Sequence, residues 1–110
     1  MAKYLVQVGY TSEAVAGMIK SPEDRTPAVR SAIEALGGKL ESLYMCFGEY
    51  DGVGIAELPD NASAAALAMA FTATGRYRSF HTTPLLTMPE GAQGMRAAAK
   101  ASVRPAGGSI

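Results

Sequence analysis

His81 is the single histidine in a chain of 110 residues. An imidazole has its ordinary pKa close to neutrality, which suits a general base. A base of that kind needs a hydroxyl nearby to orient substrate, and Tyr44 and Tyr10 are the candidates. The plainer reading of a lone strand histidine is a structural or surface residue. Tyr50 and Asp51 close a Gly48-Glu49-Tyr50-Asp51 segment. There Asp51 either bonds local backbone amides in a turn, with Gly48 supplying positive φ, or shares the rim of a pocket with Tyr50. Arg78 and Arg76 flank Tyr77 and can hold a carboxylate or phosphate, or face solvent at a strand end. Glu57 alternates with Val53 and Ile55, so it points into a partly enclosed space or out from a strand end. Cys46 shares the parity of Tyr44 and reads as a buried, inert thiol.

One cysteine excludes an intrachain disulfide and a Cys cluster. With one histidine as well, no metal site is expected within the chain. The sequence holds no Gly-rich phosphate loop, nucleophile elbow or carboxylate dyad, and no cofactor is expected. Ten acidic and ten basic residues balance to zero net charge. That leaves no basic field for nucleic acid or for an anionic membrane. Arg96, Lys100 and Arg104 form a small basic bias near the end, read as a solvated tail or frayed helix. No apolar run approaches the roughly 18 residues of a membrane span, and no secretory leader is visible. A cytoplasmic location is expected.

The candidate residues must be positioned by a short set of elements. Residues 3–10 read as a strand, with Tyr4, Val6, Val8 and Tyr10 on one face and Leu5, Gln7 and Gly9 on the other. Thr11 can cap a helix with Glu13 in its first turn. Pro22 interrupts the helical pattern, and a second start follows at Ser21-Pro22 or at Thr26-Pro27. The helical region is therefore one long helix or two pieces, ending near residue 36 before Gly37-Gly38. Residues 39–47 and 52–58 read as two strands around the Gly48–Asp51 turn. Gly52 and Gly54 weaken the second strand and permit close approach by another group. Asp60 caps an Ala-rich helix that Gly75 stops. Residues 76–87 read as a strand, and Pro84 assigns it to an edge or a bulge. Thr87 and Glu90 have capping-box spacing for a C-terminal helix.

This order is βαββαβ plus a terminal helix. It predicts an α+β, ferredoxin-like fold with a four-stranded antiparallel sheet and both long helices on one face. One domain is expected over residues 1–104, with residues 105–110 as a disordered tail. Both faces of the first two strands carry large apolar groups, so the helix-free face needs a cover. A homodimer or higher homo-oligomer is expected, sheet against sheet, as in a dimeric α/β barrel. If Tyr10 and Tyr44 share that face, they line the cavity between subunits.

Several short stretches form a pattern when taken together. They are Lys3-Tyr4-Leu5, Tyr10-Thr11, Gly37-Gly38-Lys39-Leu40, Gly48-Glu49-Tyr50-Asp51, Glu57-Leu58-Pro59-Asp60 and Thr82-Thr83-Pro84-Leu85-Leu86. In this order and spacing the chain resembles the GYD domain family from about residue 3 to residue 90. The resemblance implies a ferredoxin-like fold and supplies no catalytic residues to carry over. The expected role is a small-molecule-binding or oligomerisation module. The competing expectation is a cofactor-independent small enzyme of oxygenase or isomerase type, acting in an intersubunit cavity. There His81 would be the base and Tyr44 or Tyr10 would orient substrate. Tyr50, Asp51, Arg78 and Glu57 are the candidate ligand contacts.

Overall fold

The structure, a computed structural model, describes residues 1–107. Its elements are β1 (Ala2–Tyr10), α1 (Ser12–Lys20), α2 (Thr26–Ala35), β2 (Lys39–Met45), β3 (Gly52–Leu58), α3 (Asn61–Thr72), β4 (Tyr77–Leu85) and α4 (Met88–Ala98). The four strands form one antiparallel sheet in the order β2-β3-β1-β4. This is the ferredoxin-like order, with the first crossover helix in two pieces.

Local chemistry sets the helix ends. The Thr11 hydroxyl accepts from the Ala14 amide at 3.2 Å and starts α1. Pro22 disfavours helical backbone at Ser21, so α1 stops there. Asp24 restarts the chain by accepting from the Thr26 amide at 2.9 Å, with Pro27 in the first turn of α2. Gly37 ends α2 with φ of +80°. The Gly38 amide returns to the Ile33 carbonyl at 3.0 Å. Asp60 caps α3 through the Ser63 amide at 2.8 Å. Thr87 and Glu90 complete a reciprocal capping box on α4. Pro84 lies on β4, an outer strand of the sheet, as its missing N–H requires.

The core lies between the sheet and the helices. Tyr4, Ala56 and Leu58 supply its sheet side, and Ile33, Ala64 and Leu67 its helix side. The Tyr4 hydroxyl reaches the edge of this core and donates to the Asn61 side chain at 2.6 Å. A register shift between Leu40 and Ser42 breaks simple alternation along β2. The extra residue, Glu41, lets Leu40 and Leu43 both turn toward the helices, opposite Ala56 and Gly54. Ser42 and Tyr44 then face the other way.

The helix-free face is built in cross-strand rows. One row runs Tyr44, Val53, Gln7, His81, and the next runs Ser42, Ile55, Leu5, Thr83. α4 has no buried residue. It stands away from the sheet, giving a radius of gyration of 17.9 Å where a compact domain of this length has about 13 Å. The expected tail at residues 105–110 falls partly outside the described residues.

Candidate functional site

The expected site residues divide between the two faces of the sheet. On the helix-free face, Asp51 is the organising group. It does not serve the local turn that its position in the sequence suggests. Its Oδ2 accepts from the Tyr10 amide at 2.8 Å. It also accepts from the Arg78 guanidinium at 3.3 Å, and Arg78 reaches the Glu49 carbonyl at 3.1 Å. The Asp51 amide donates to the Val8 carbonyl at 2.8 Å, and its carbonyl accepts from the Cys46 amide at 2.9 Å. Arg78 lies over Gly9, where an added Cβ would stand 2.6 Å from the guanidinium carbon. Gly48 does supply positive φ, at +129°.

His81 is exposed and meets the Tyr50 ring edge-on, with centroids 5.5 Å apart. Tyr44 lies in the same row but three strand spacings away, about 14 Å at the usual interstrand distance. His81 therefore faces a tyrosine, but that tyrosine is Tyr50. Glu57 is paired in register with Lys3 on one side and Lys39 on the other. Lys3 makes its ion pair with Glu41 at 2.8 Å, not with Glu57. Cys46 is half-buried, and its thiol lies 3.2 Å from the Tyr50 carbonyl.

Tyr10 is on the opposite face, which corrects its expected partnership with Tyr44. It keeps the parity of Tyr4, Val6 and Val8 and so turns toward the helices. A register shift after Gly9 then pairs it with Tyr77, at a ring-centroid distance of 5.3 Å. Phe71 and Phe80 continue this aromatic group at 5.7 and 5.8 Å from Tyr77.

Beside these rings, a cleft of about 430 Å³ opens between the sheet and the helices. Its floor is β3, which presents Gly52, Gly54 and Ala56 to the helix side. Large β-branched residues at those positions would fill it. Val8, Leu43, Val29 and Ile33 form apolar walls, and Tyr10, Tyr77 and Arg25 bring polar groups to it. Burial raises the Tyr10 and Tyr77 hydroxyl pKa values, while the positive charges of Arg25 and Arg76 oppose the rise. Both phenols are therefore neutral donors near pH 7. Sequence reading noted Tyr77 but missed Arg25 and the cleft itself. The available signal was the Gly52-x-Gly54-x-Ala56 alternation, a strand with no side-chain bulk on one face.

Among the described residues, no group of three or more His, Cys, Asp or Glu side chains is placed to hold a metal ion. None of the described helices is long and apolar enough to cross a membrane.

Sheet order and crossover helices define a ferredoxin-like α+β domain with a cleft between its layers. The model of the GYD domain family matches residues 4–95, and the chain belongs to that family. Comparison with curated proteins and with solved structures gives no match.

Proposed function

We propose that this protein is a small-molecule-binding module whose compartment is the cleft between the sheet and the helices. The observation that carries the reading is the cleft itself. Its volume of about 430 Å³ lies in the range of ligand pockets, about 300–1,000 Å³. Apolar walls with a few convergent polar groups are the usual make-up of such a site. The test is titration with the neutral fluorophore N-phenyl-1-naphthylamine. Saturable, blue-shifted emission is expected from the wild type, with loss in Gly52→Val, which places a branched side chain on the floor. Equal binding by a folded Gly52→Val protein would refute the cleft as the site.

The module is proposed to work as a homodimer through its helix-free face. Leu5, Val53 and Ile55 line that face beside the exposed Tyr44. Sedimentation velocity at micromolar concentration should give a dimer, and Ile55→Arg should give a monomer.

A second reading, an enzyme acting between subunits, is favoured by the Tyr50–His81 contact on that face. His81 would be the base and Tyr50 the orienting hydroxyl. A turnover found with a candidate substrate should disappear in His81→Ala and persist in Arg25→Gln. Undiminished turnover by His81→Ala would remove this reading.

A further inference from the structure

The cleft is polarised along its length, and the polarity specifies a ligand class. At the end next to the core, Ile33, Leu67 and Leu40 surround the floor at Ala56 and Gly54. No charged side chain lines that end. At the other end stand Tyr10 and Tyr77, then Arg25 on the segment between α1 and α2. The rim also carries Glu23 and Asp24. Each has a partner of its own: Asp24 accepts from the Thr26 amide at 2.9 Å and keeps its negative charge, and Glu23 meets Arg25 at 3.1 Å. That ion pair is exposed on both sides, so water and salt weaken it. It also takes one Nη of a guanidinium that has five N–H donors; Arg25 further acts on the Tyr77 hydroxyl as a hydrogen-bond donor, and the remaining N–H groups are left for another acceptor.

We propose that the cleft takes a small amphipathic carboxylic acid, with its apolar body over Gly54 and its carboxylate between Arg25 and the Tyr10 and Tyr77 hydroxyls. The chemistry follows from the donors. Two neutral phenols and a guanidinium present only N–H and O–H protons to an anionic oxygen, and charge-assisted bonds of this kind are the stronger ones. The positive charge of Arg76 acts on both phenols in the same sense, and the negative charge of Asp51 opposes it at Tyr10. A cationic ligand would meet the guanidinium and gain only the rim carboxylates. A neutral alcohol would fill the apolar end and leave the fork of Arg25 unused. The inference rests on the cleft being a binding compartment, and it adds the charge and the direction of the occupant.

Displacement of N-phenyl-1-naphthylamine from the full chain at pH 7 separates the two. Decanoate is expected to displace the fluorophore at about tenfold lower concentration than decanol, the difference one charge-assisted contact makes. Arg25→Gln should erase that preference, read as the ratio of decanoate to decanol affinity by calorimetry, and Arg25→Lys should keep part of it. Fluorophore binding with no preference for decanoate in the wild type overturns the carboxylate assignment and leaves the compartment standing. So does a preference that survives intact in Arg25→Gln. No saturable binding of the fluorophore or of decanoate, the latter read by calorimetry, removes compartment and ligand class together.

Discussion

The Asp51 carboxylate accepts the Tyr10 main-chain amide at 2.8 Å, across 41 residues of sequence. Register explains the contact. β3 begins at Gly52, opposite Val8, so the Tyr10 amide extends past the last residue that could pair with it. A side-chain oxygen takes the place of the missing ladder acceptor. Arg78 joins from the far edge, and Asp51 is 26% exposed in this arrangement. Asp51→Ala should destabilise the fold by about 1.5–3 kcal/mol, the usual range for a bond to a charged group. Asp51→Asn keeps an acceptor for Tyr10 and loses mainly the attraction to Arg78, so it should cost less than about 1 kcal/mol. Chemical denaturation of both variants measures this. Equal losses would mean that the acceptor is not what stabilises the junction.

Core size makes a second prediction. Among the described residues, Leu58 and Ile33 are the largest fully buried side chains, and they belong to the cluster that joins sheet to helices. Leu58→Ala should cost about 2–5 kcal/mol and Ile33→Val about 0.5–1.5 kcal/mol. A Leu58→Ala protein within 1 kcal/mol of wild type, about the scale of an ordinary surface change, would show that the core relaxes around the void.

Acid should weaken the fold through two carboxylates at helix starts, Asp24 before α2 and the N-cap Asp60 of α3. Hydrogen bonds from Thr26 hold the Asp24 pKa below its ordinary value of 3.8, and the Ser63 amide does the same for Asp60. A lowered folded-state pKa gives stability that is complete above the unfolded value and lost as pH falls through the folded one. Tm should therefore drop as pH is lowered through 3.8 and below. Asp60→Asn caps without titrating and should flatten part of that slope. A melting series whose acid slope is the same with Asn at this position would contradict the assignment.

α4 offers a test of quaternary structure. Thr87→Ala removes half of its capping box, a loss of about 1 kcal/mol to the helix. In a monomer, α4 touches little and the Tm should stay fixed while far-UV helicity falls. In a dimer that seats α4 on a partner, Tm and the dimer dissociation constant should both move. Melting curves at two protein concentrations distinguish these outcomes.

Helix starts, the glycine stops and the place of β4 at an edge were legible in the sequence because each depends on a local group: Thr11, Asp60, Thr87, Gly37, Pro84. The strand order followed from the element order. What was not legible depended on register. The extra residue at Glu41 put Leu40 and Leu43 on one face, and the shift after Gly9 set Tyr10 against Tyr77. Strand parity alone gives neither. Asp51 looked like a turn residue because its partners, Tyr10 and Arg78, are 41 and 27 positions away. The cleft was hidden for a related reason: a row of small residues becomes a void only when the opposing helices are too far away to fill it.

The break between α1 and α2 has a kinetic consequence. Pro22, Glu23, Asp24 and Arg25 form one rim of the cleft. The Ser21 amide is fixed to the Gly17 carbonyl and the Thr26 amide to Asp24. For an occupant of the proposed compartment, passage at that rim would need only a few residues to shift between two held helix ends, with no strand unpaired. Motions of so short a segment run in nanoseconds to microseconds. Residence in the compartment would then be governed by contacts inside it, not by a slow gate.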